Sequence, residues 1–294
     1  MKKVLLVSHD AGGAEVLSSW LKYNNFLYIL IAEGPARNIF LKKNFFASNL
    51  SIKDAIKKVD FVITSSSWQS DLEKETIYLA KQLDKYVITM LDHWTNYRER
   101  FIYKKNLILP NEIWVLDECS KEIAESIFKN TKIILKDNFY LNDILVKIRN
   151  EIQKRPTNNK NLKGIFIGEN ISDHAAKINR DKNVFGYDEK DSLDFLLENI
   201  PKINLPITEI KIRPHPSENC SKYNWVKNHY LISEISSEKE LWFDICHSDI
   251  VFGCESMALV IAIKAEKKVI SCIPKYGRNC SLPFKEIIHL KNIV

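Results

Sequence analysis

The feature that most narrows the fold is a rhythm: short apolar runs of β type alternate with amphipathic stretches, the pattern breaks once, and then it restarts. In the first half, Lys3–Ser8, Phe26–Ala32, Phe61–Thr64, Tyr86–Leu91 and Glu112–Leu116 read as strands, and Ala14–Lys22, Asp71–Leu83 and Lys121–Phe128 as helices. Such a βαβ series predicts a parallel sheet covered on both faces. After Val146 the chain runs through KIRNEIQKRPTNNKNLK, polar and without apolar period. That stretch predicts a linker over 151–162 between a domain at 1–150 and another at 163–294.

The rhythm resumes with strands at Gly164–Gly168, Thr208–Arg213, Ile250–Gly253 and Lys268–Cys272, and helices at Ser192–Glu198, Leu241–His247 and Ser256–Ala265. The expected fold class is therefore α/β, two Rossmann-like domains facing across a cleft, with ligands beyond the carboxyl ends of the strands. With 294 residues, 45% of them hydrophobic, the chain has material for two cores. Its end, HLKNIV, leaves little room for a long helix crossing back to the first domain, so a compact variant or a missing C-terminal piece is expected.

Composition removes several function classes. The opening MKKVLLVSHDAGG meets His9 and Asp10 too early for a signal-peptide core, and no run reaches about 18 apolar residues, so no bilayer span is expected. Six cysteines (Cys119, Cys220, Cys246, Cys254, Cys272, Cys280) form no C-x-x-C pair and no zinc spacing. They read as reduced thiols of a cytoplasmic protein with no metal. The net charge of +6 comes from dispersed lysines. Nucleic acid wants a concentrated basic stripe with interleaved aromatics, so no nucleic-acid partner is expected. The charge suits phosphorylated small molecules or peripheral work at the inner face of an anionic membrane, and equally reflects a lysine-rich proteome. Nothing marks the oligomeric state.

Four loops follow predicted strands, where this architecture places chemistry. In IKIRPHPSE, two prolines stiffen the backbone around His215, and Arg213, Pro216, Ser217 and Glu218 surround it. An imidazole there can donate to a leaving phosphate or protonate it, with Arg213 as a second cation, or it is simply a turn histidine. In VFGCESMALVIA, Glu255 and Ser256 open an apolar helix. Its N-terminus suits phosphate, or Ser256 is an ordinary cap. In VITMLDHWTNYRERF, Asp92 heads a segment with Trp94, Tyr97 and Arg98, and from the residues alone it reads as a helix cap beside core aromatics. In SHDAGGAE, Gly12 and Gly13 permit a tight turn beside His9 and Asp10, although no G-x-G-x-x-G is present. The run Thr64-Ser65-Ser66-Ser67-Trp68 follows another strand and offers hydroxyls and a stacking face for a sugar, or is an ordinary polar loop, and Gly168-Glu169-Asn170 ends the first strand of the second domain, in position to line a nucleotide pocket. PKYGRNCSLPF reads as a loop with a cation for phosphate.

R-P-H-P followed by G-x-E-S-x-x-L resembles the paired His-Pro and Ser motifs of bacterial sialyltransferases, polysialyltransferases and related capsule glycosyltransferases of GT-B fold. The resemblance implies that His215 acts as acid or hydrogen-bond donor to a departing cytidine monophosphate, and that Ser256 binds its phosphate. Those families often carry two adjacent hydroxyl residues. Here Glu255 takes the first place, where a carboxylate suits ribose hydroxyls. An acidic motif after an N-terminal-domain strand supplies their acceptor base, and Asp92 is similar in placement, with Asp10 as rival. The implied activity is inverting transfer from a nucleotide-sugar, plausibly a cytidine-linked nonulosonic acid, to a glycan or protein acceptor, with the reaction dependent on cleft closure. His9, Gly12, Gly13, Ser66, Trp68, Trp94 and Arg98 fall to the acceptor side. Arg213, Pro216, Ser217, Gly168, Glu169, Glu255 and Ser256 fall to the donor side. No cofactor is expected, and the lack of a D-x-D motif implies metal independence. The alternatives are a nucleotide-sugar epimerase or hydrolase of the same architecture, and a non-catalytic nucleotide- or glycan-binding protein.

Overall fold

The computed structural model describes residues 1–67, 70–154, 161–179 and 181–294. The chain divides into two compact units, Met1–Asn142 and Asp143–Val294. Each is built on a six-stranded parallel sheet.

Unit 1 runs β1 (Lys3–Ser8), α1 (Ala11–Tyr23), β2 (Leu27–Ala32), α2 (Gly34–Lys42), α3 (Ile52–Lys57), β3 (Phe61–Thr64), α4 (Leu72–Gln82) and β4 (Tyr86–Met90). A small hairpin of β5 (Ile102–Tyr103) and β6 (Asn106–Leu107) precedes β7 (Glu112–Val115), α5 (Glu118–Ile127) and β8 (Lys132–Leu135). Sheet order is β2-β1-β3-β4-β7-β8. The period of two along β1 explains its continuous apolar run. Val4 and Leu6 pack with Leu17, Trp20 and Phe40 of α1 and α2. Leu5 and Val7 pack with Ile56, Ile77 and Ala124 of α3, α4 and α5. The helix α6 (Phe139–Ile152) carries the chain from one unit into the other, so residues 151 and 152 of the expected linker are helical. Positions 155–160 of that linker lie outside the described residues.

Unit 2 runs β9 (Leu162–Ile167), α7 (Ile171–Asn179), α8 (Glu189–Asn199), β10 (Ile207–Arg213), β11 (Ile232–Ile235), α9 (Leu241–Cys246), β12 (Ile250–Gly253), α10 (Met257–Lys264), β13 (Lys268–Ser271) and β14 (Ile287–His289), in sheet order β11-β10-β9-β12-β13-β14. The capping of α8 is reciprocal: Asp188 Oδ1 accepts the Asp191 N–H at 2.9 Å, and Asp191 Oδ2 accepts the Asp188 N–H at 3.0 Å. The chain closes with β14 and a single 3-10 turn at Leu290–Asn292.

In each sheet the strand order reverses once, between β1 and β3 and between β9 and β12. Open α/β sheets present ligand-binding crevices at such points. Among the described residues no helix is long and apolar enough to cross a membrane.

The end of β10 is tied to α9 by a buried ion pair. Arg213 Nη1 donates to Asp244 Oδ2 at 2.5 Å and to the Glu238 carbonyl at 3.0 Å, Nη2 donates to the Lys239 carbonyl at 3.2 Å, and Ser236 Oγ donates to the same Asp244 oxygen at 2.7 Å. Removing one partner strands the other charge. Asp244→Ala is expected to lower stability by about 3–5 kcal/mol, whereas joint replacement by Arg213→Met and Asp244→Leu costs less. Urea denaturation midpoints measure both.

Candidate functional site

In unit 1 the loops after β1, β3 and β4 converge at the reversal point. His9 Nδ1 lies 2.7 Å from Asp10 Oδ1, and both side chains are about a quarter exposed (27% each). The imidazole packs over Gly34, whose φ of 50° and missing side chain leave it room. The glycines of α1 serve close approach: a Cβ on Gly12 would collide with Asp92 Oδ2, and one on Gly13 with Ser65. Asp92 itself is largely enclosed. Its Oδ1 accepts the Ser66 hydroxyl at 3.1 Å and lies 3.7 Å from Arg100 Nη1, which also donates to Ser66 Oγ at 2.8 Å.

Beside this cluster sits a carboxylate that sequence reasoning missed. Glu73, in the first turn of α4, is buried, and its Oε1 accepts the His9 N–H at 2.7 Å and the Ser65 hydroxyl at 3.0 Å. Its Oε2 is buried without a partner. Burial pushes its pKa up to about 7, against the lowering effect of the His9 N–H.

In unit 2 the loops after β9, β10 and β12 form one connected chain of contacts. Ser217 donates to His215 Nδ1 twice, through Oγ at 2.7 Å and through its backbone N–H at 3.2 Å. A ring nitrogen that receives an amide N–H carries no proton, so in the neutral ring the proton sits on Nε2. Burial of the ring, and after it the charge of His174, hold the His215 pKa below its ordinary value. The side chain is nonetheless exposed and presents a neutral Nε2–H donor. Glu218 braces the turn, accepting the His215 N–H at 3.0 Å, the Tyr223 hydroxyl at 3.0 Å and Lys222 Nζ at 2.8 Å.

Asn170 Nδ2 donates to Ser217 Oγ at 3.0 Å, and its neighbour Glu169 reaches across to β12. Glu169 Oε1 accepts three consecutive backbone N–H groups, those of Cys254 (3.0 Å), Glu255 (2.8 Å) and Ser256 (3.0 Å). Its pKa is also pushed up to about 7, chiefly by burial. Gly168 is buried and donates its N–H to the Arg213 carbonyl at 2.8 Å. Ser256 stands at the N-cap of α10 without a capping bond, its hydroxyl buried and unpartnered.

Thus His9, Asp10, Gly12, Gly13, Ser66 and Asp92 gather in unit 1, and Gly168, Glu169, His215, Ser217 and Ser256 gather in unit 2. Pro216 stands exposed at the tip of the His215 turn. Several expectations need correction. Arg213 is committed to Asp244 and two carbonyls, and so is unavailable to a phosphate. Trp94 is buried, its Nε1 donating to Asp117 Oδ2 at 2.9 Å, and so offers no open stacking face. Arg98 is exposed, consistent with a place on the acceptor side, while the guanidinium beside Asp92 is that of Arg100, two residues on. Both Glu255 oxygens are engaged, one by Arg278 and the other by the Ser281 N–H at 2.9 Å, so Arg278 holds a carboxylate. Asp92 heads no helix, which removes its reading as a cap. Trp68 lies outside the described residues. Among those residues no cluster of three or more His, Cys, Asp or Glu side chains is arranged for a metal ion.

No protein-family model matches the chain, and no curated protein matches its sequence. Solved structures do match. UDP-GlcNAc 2-epimerase from Neisseria meningitidis bound to UDP-GlcNAc superposes with a TM-score of 0.61 at 15% identity, over 99% of this chain and 89% of that one. UDP-GlcNAc 2-epimerase from Methanocaldococcus jannaschii gives 0.60 at 14% identity, over 98% and 88%. MurG from Acinetobacter baumannii gives 0.58 at 10% identity, over 100% and 88%. At these identities the likeness is one of fold: two Rossmann-like parallel-sheet domains of GT-B type.

The raised carboxyls make stability depend on pH. A carboxyl whose folded pKa lies above its unfolded value stabilises the fold fully below the unfolded pKa, and that contribution is lost as pH rises through the folded one. For Glu73, moved from 4.5 to about 7, the amount is on the order of 3 kcal/mol. Thermal melts are expected to show stability falling between about pH 5 and pH 8, with Glu73→Gln flattening part of that slope. A slope unchanged in Glu73→Gln excludes this assignment.

Proposed function

We propose that this protein is an inverting glycosyltransferase that takes a sugar from a nucleotide-activated donor. The observation that carries the reading is the His215 turn at the carboxyl edge of a Rossmann-type sheet, its Nδ1 locked by Ser217 so that Nε2–H is left to donate. A leaving phosphate gains charge as the glycosidic bond breaks, and a preset donor stabilises that charge more than it stabilises the bound substrate. With its pKa held down, His215 acts as a neutral hydrogen-bond donor rather than as an imidazolium acid. Ser256 supplies a hydroxyl for the same phosphate. A cytidine-linked nonulosonic acid is the donor that the motif resemblance favours, and a glycan or glycoprotein is the acceptor. Work in the cytoplasm, at the inner membrane face, with no cofactor or metal, belongs to the same proposal.

For the base, Asp10 is favoured over Asp92. Asp92 is largely enclosed, with one oxygen accepting the Ser66 hydroxyl and facing Arg100, and the other packed against Gly12. Asp10 has one oxygen oriented by His9 and remains partly exposed.

The second reading, a nucleotide-sugar epimerase or hydrolase, gains from Glu169, a carboxyl with a pKa pushed up to about 7 whose neighbour Asn170 is bonded to the His215 turn through Ser217. Incubation with donor and no acceptor separates the two readings, because free altered sugar marks the second.

Purified protein is expected to release nucleotide from cytidine-activated sugar when acceptor is present. His215→Ala should lower kcat by about 10²–10³ with little change in donor affinity. Asp10→Asn should lower kcat by about 10²–10⁴, more than Asp92→Asn does. If neither cytidine- nor uridine-activated sugars bind or turn over, the transferase reading fails.

A further inference from the structure

The three backbone N–H groups at the start of α10 form a cradle for an anion: consecutive donors at a helix N-terminus, backed by the positive end of the dipole. In this structure the cradle is filled by the protein itself. Glu169 Oε1 receives all three, from Cys254, Glu255 and Ser256, at 2.8 to 3.0 Å. A single carboxylate oxygen thus makes the contacts that one oxygen of a phosphate would make. A second observation points to an absent ligand. Ser256, the N-cap residue, does not cap; its hydroxyl is buried and without any partner beside the filled cradle. Asn170 Oδ1, adjacent in sequence to Glu169, is likewise buried and unpartnered. Buried polar atoms of native proteins nearly always have partners, so the orphan Ser256 hydroxyl at the rim of the cradle marks a place that a polar ligand completes.

We infer that Glu169 is an internal competitor for the donor phosphate, holding the α10 cradle with its own carboxylate and withdrawing when a phosphate group takes the Cys254, Glu255 and Ser256 amides together with the Ser256 hydroxyl. This rests on the nucleotide-sugar reading for the identity of the ligand, but the competition itself concerns any phosphate. Two acceptors cannot share one set of donors, so binding must displace the Glu169 carboxyl from the three amides. The consequence is a site whose affinity is set below what its donors alone would give, which favours release of a nucleotide product after transfer.

The test compares binding of inorganic phosphate and of cytidine monophosphate to wild type, Glu169→Ala, Glu169→Asp and Ser256→Ala by calorimetry. Glu169→Ala is expected to bind both about tenfold more tightly than wild type. Glu169→Asp, too short to reach all three amides, should fall between the two, and Ser256→Ala should bind more weakly. In wild-type protein, carbon-13 and amide NMR should show the Glu169 carboxyl and the three amides shifting together as phosphate is added. This second measurement needs no substitution to fold. Unchanged or weaker binding by folded Glu169→Ala, or phosphate binding that leaves the wild-type Glu169 carboxyl resonance in place, overturns the inference. Tighter phosphate binding by Glu169→Ala with no nucleotide binding by any variant keeps the competitor and removes the transferase reading.

Discussion

The parallel pairing of β9 with β12, in register from Gly164 opposite Ile250 to Phe166 opposite Phe252, brings Glu169 within hydrogen-bond reach of Cys254, 85 residues away in sequence. Its counterpart in unit 1, β1 against β3 in register from Val4 opposite Phe61, brings Ser8 within 2.8 Å of Ser65. Parallel strands discharge their loops at one edge, and where the strand order reverses the helices on either side diverge and leave that edge open. The candidate residues of each unit stand on such a reversal. The apolar runs matter to function for this reason: they set the register, and the register decides which polar residues emerge together.

Several carboxylates near these edges are held at a cost. Asp244 is fully enclosed, yet Arg213, Ser236 and Lys211 surround it, and those partners offset the loss of water. Glu73 and Glu169 are compensated less completely. Each accepts backbone N–H groups, and for each burial still outweighs them, so the proton is held to near neutral pH. Structural ion pairs anchor the sheet ends, while under-compensated carboxyls sit at the reversal points, which is where perturbed groups are expected to gather when they serve binding or chemistry.

The central strands were legible because they are buried on both faces and must be apolar throughout. Phe61–Thr64 and Ile250–Gly253 are read from sequence with the bounds that the structure shows. The strands of the two large sheets that escaped notice, β8, β11 and β14, are edge strands. They pair on one side only, tolerate exposure at positions such as Leu135 and Ile288, and so carry a weaker apolar signal. Within the site, the tip of each loop was legible and its inner partners were not. Glu73 sits in an amphipathic helix, where an acid reads as solvated, and its burial depends on His9 and Ser65 closing over it. Arg98 and Arg100 are indistinguishable in sequence; the 3-10 turn at Glu99–Phe101 turns one outward and the other toward Ser66 and Asp92.

By itself, then, the sequence determined the class of fold and which loops follow the strands, because hydrophobic period and the placement of proline, glycine and polar residues after apolar runs are local properties. Which side chain in each loop faces its neighbours was decided by tertiary structure alone. Burial, ion pairing and the filling of the α10 cradle depend on segments tens of residues apart, and no local pattern encodes whether Arg213 meets a ligand or Asp244. The sheet supplies that answer, since only strand register brings distant residues within the few ångströms over which hydrogen bonds and charges act.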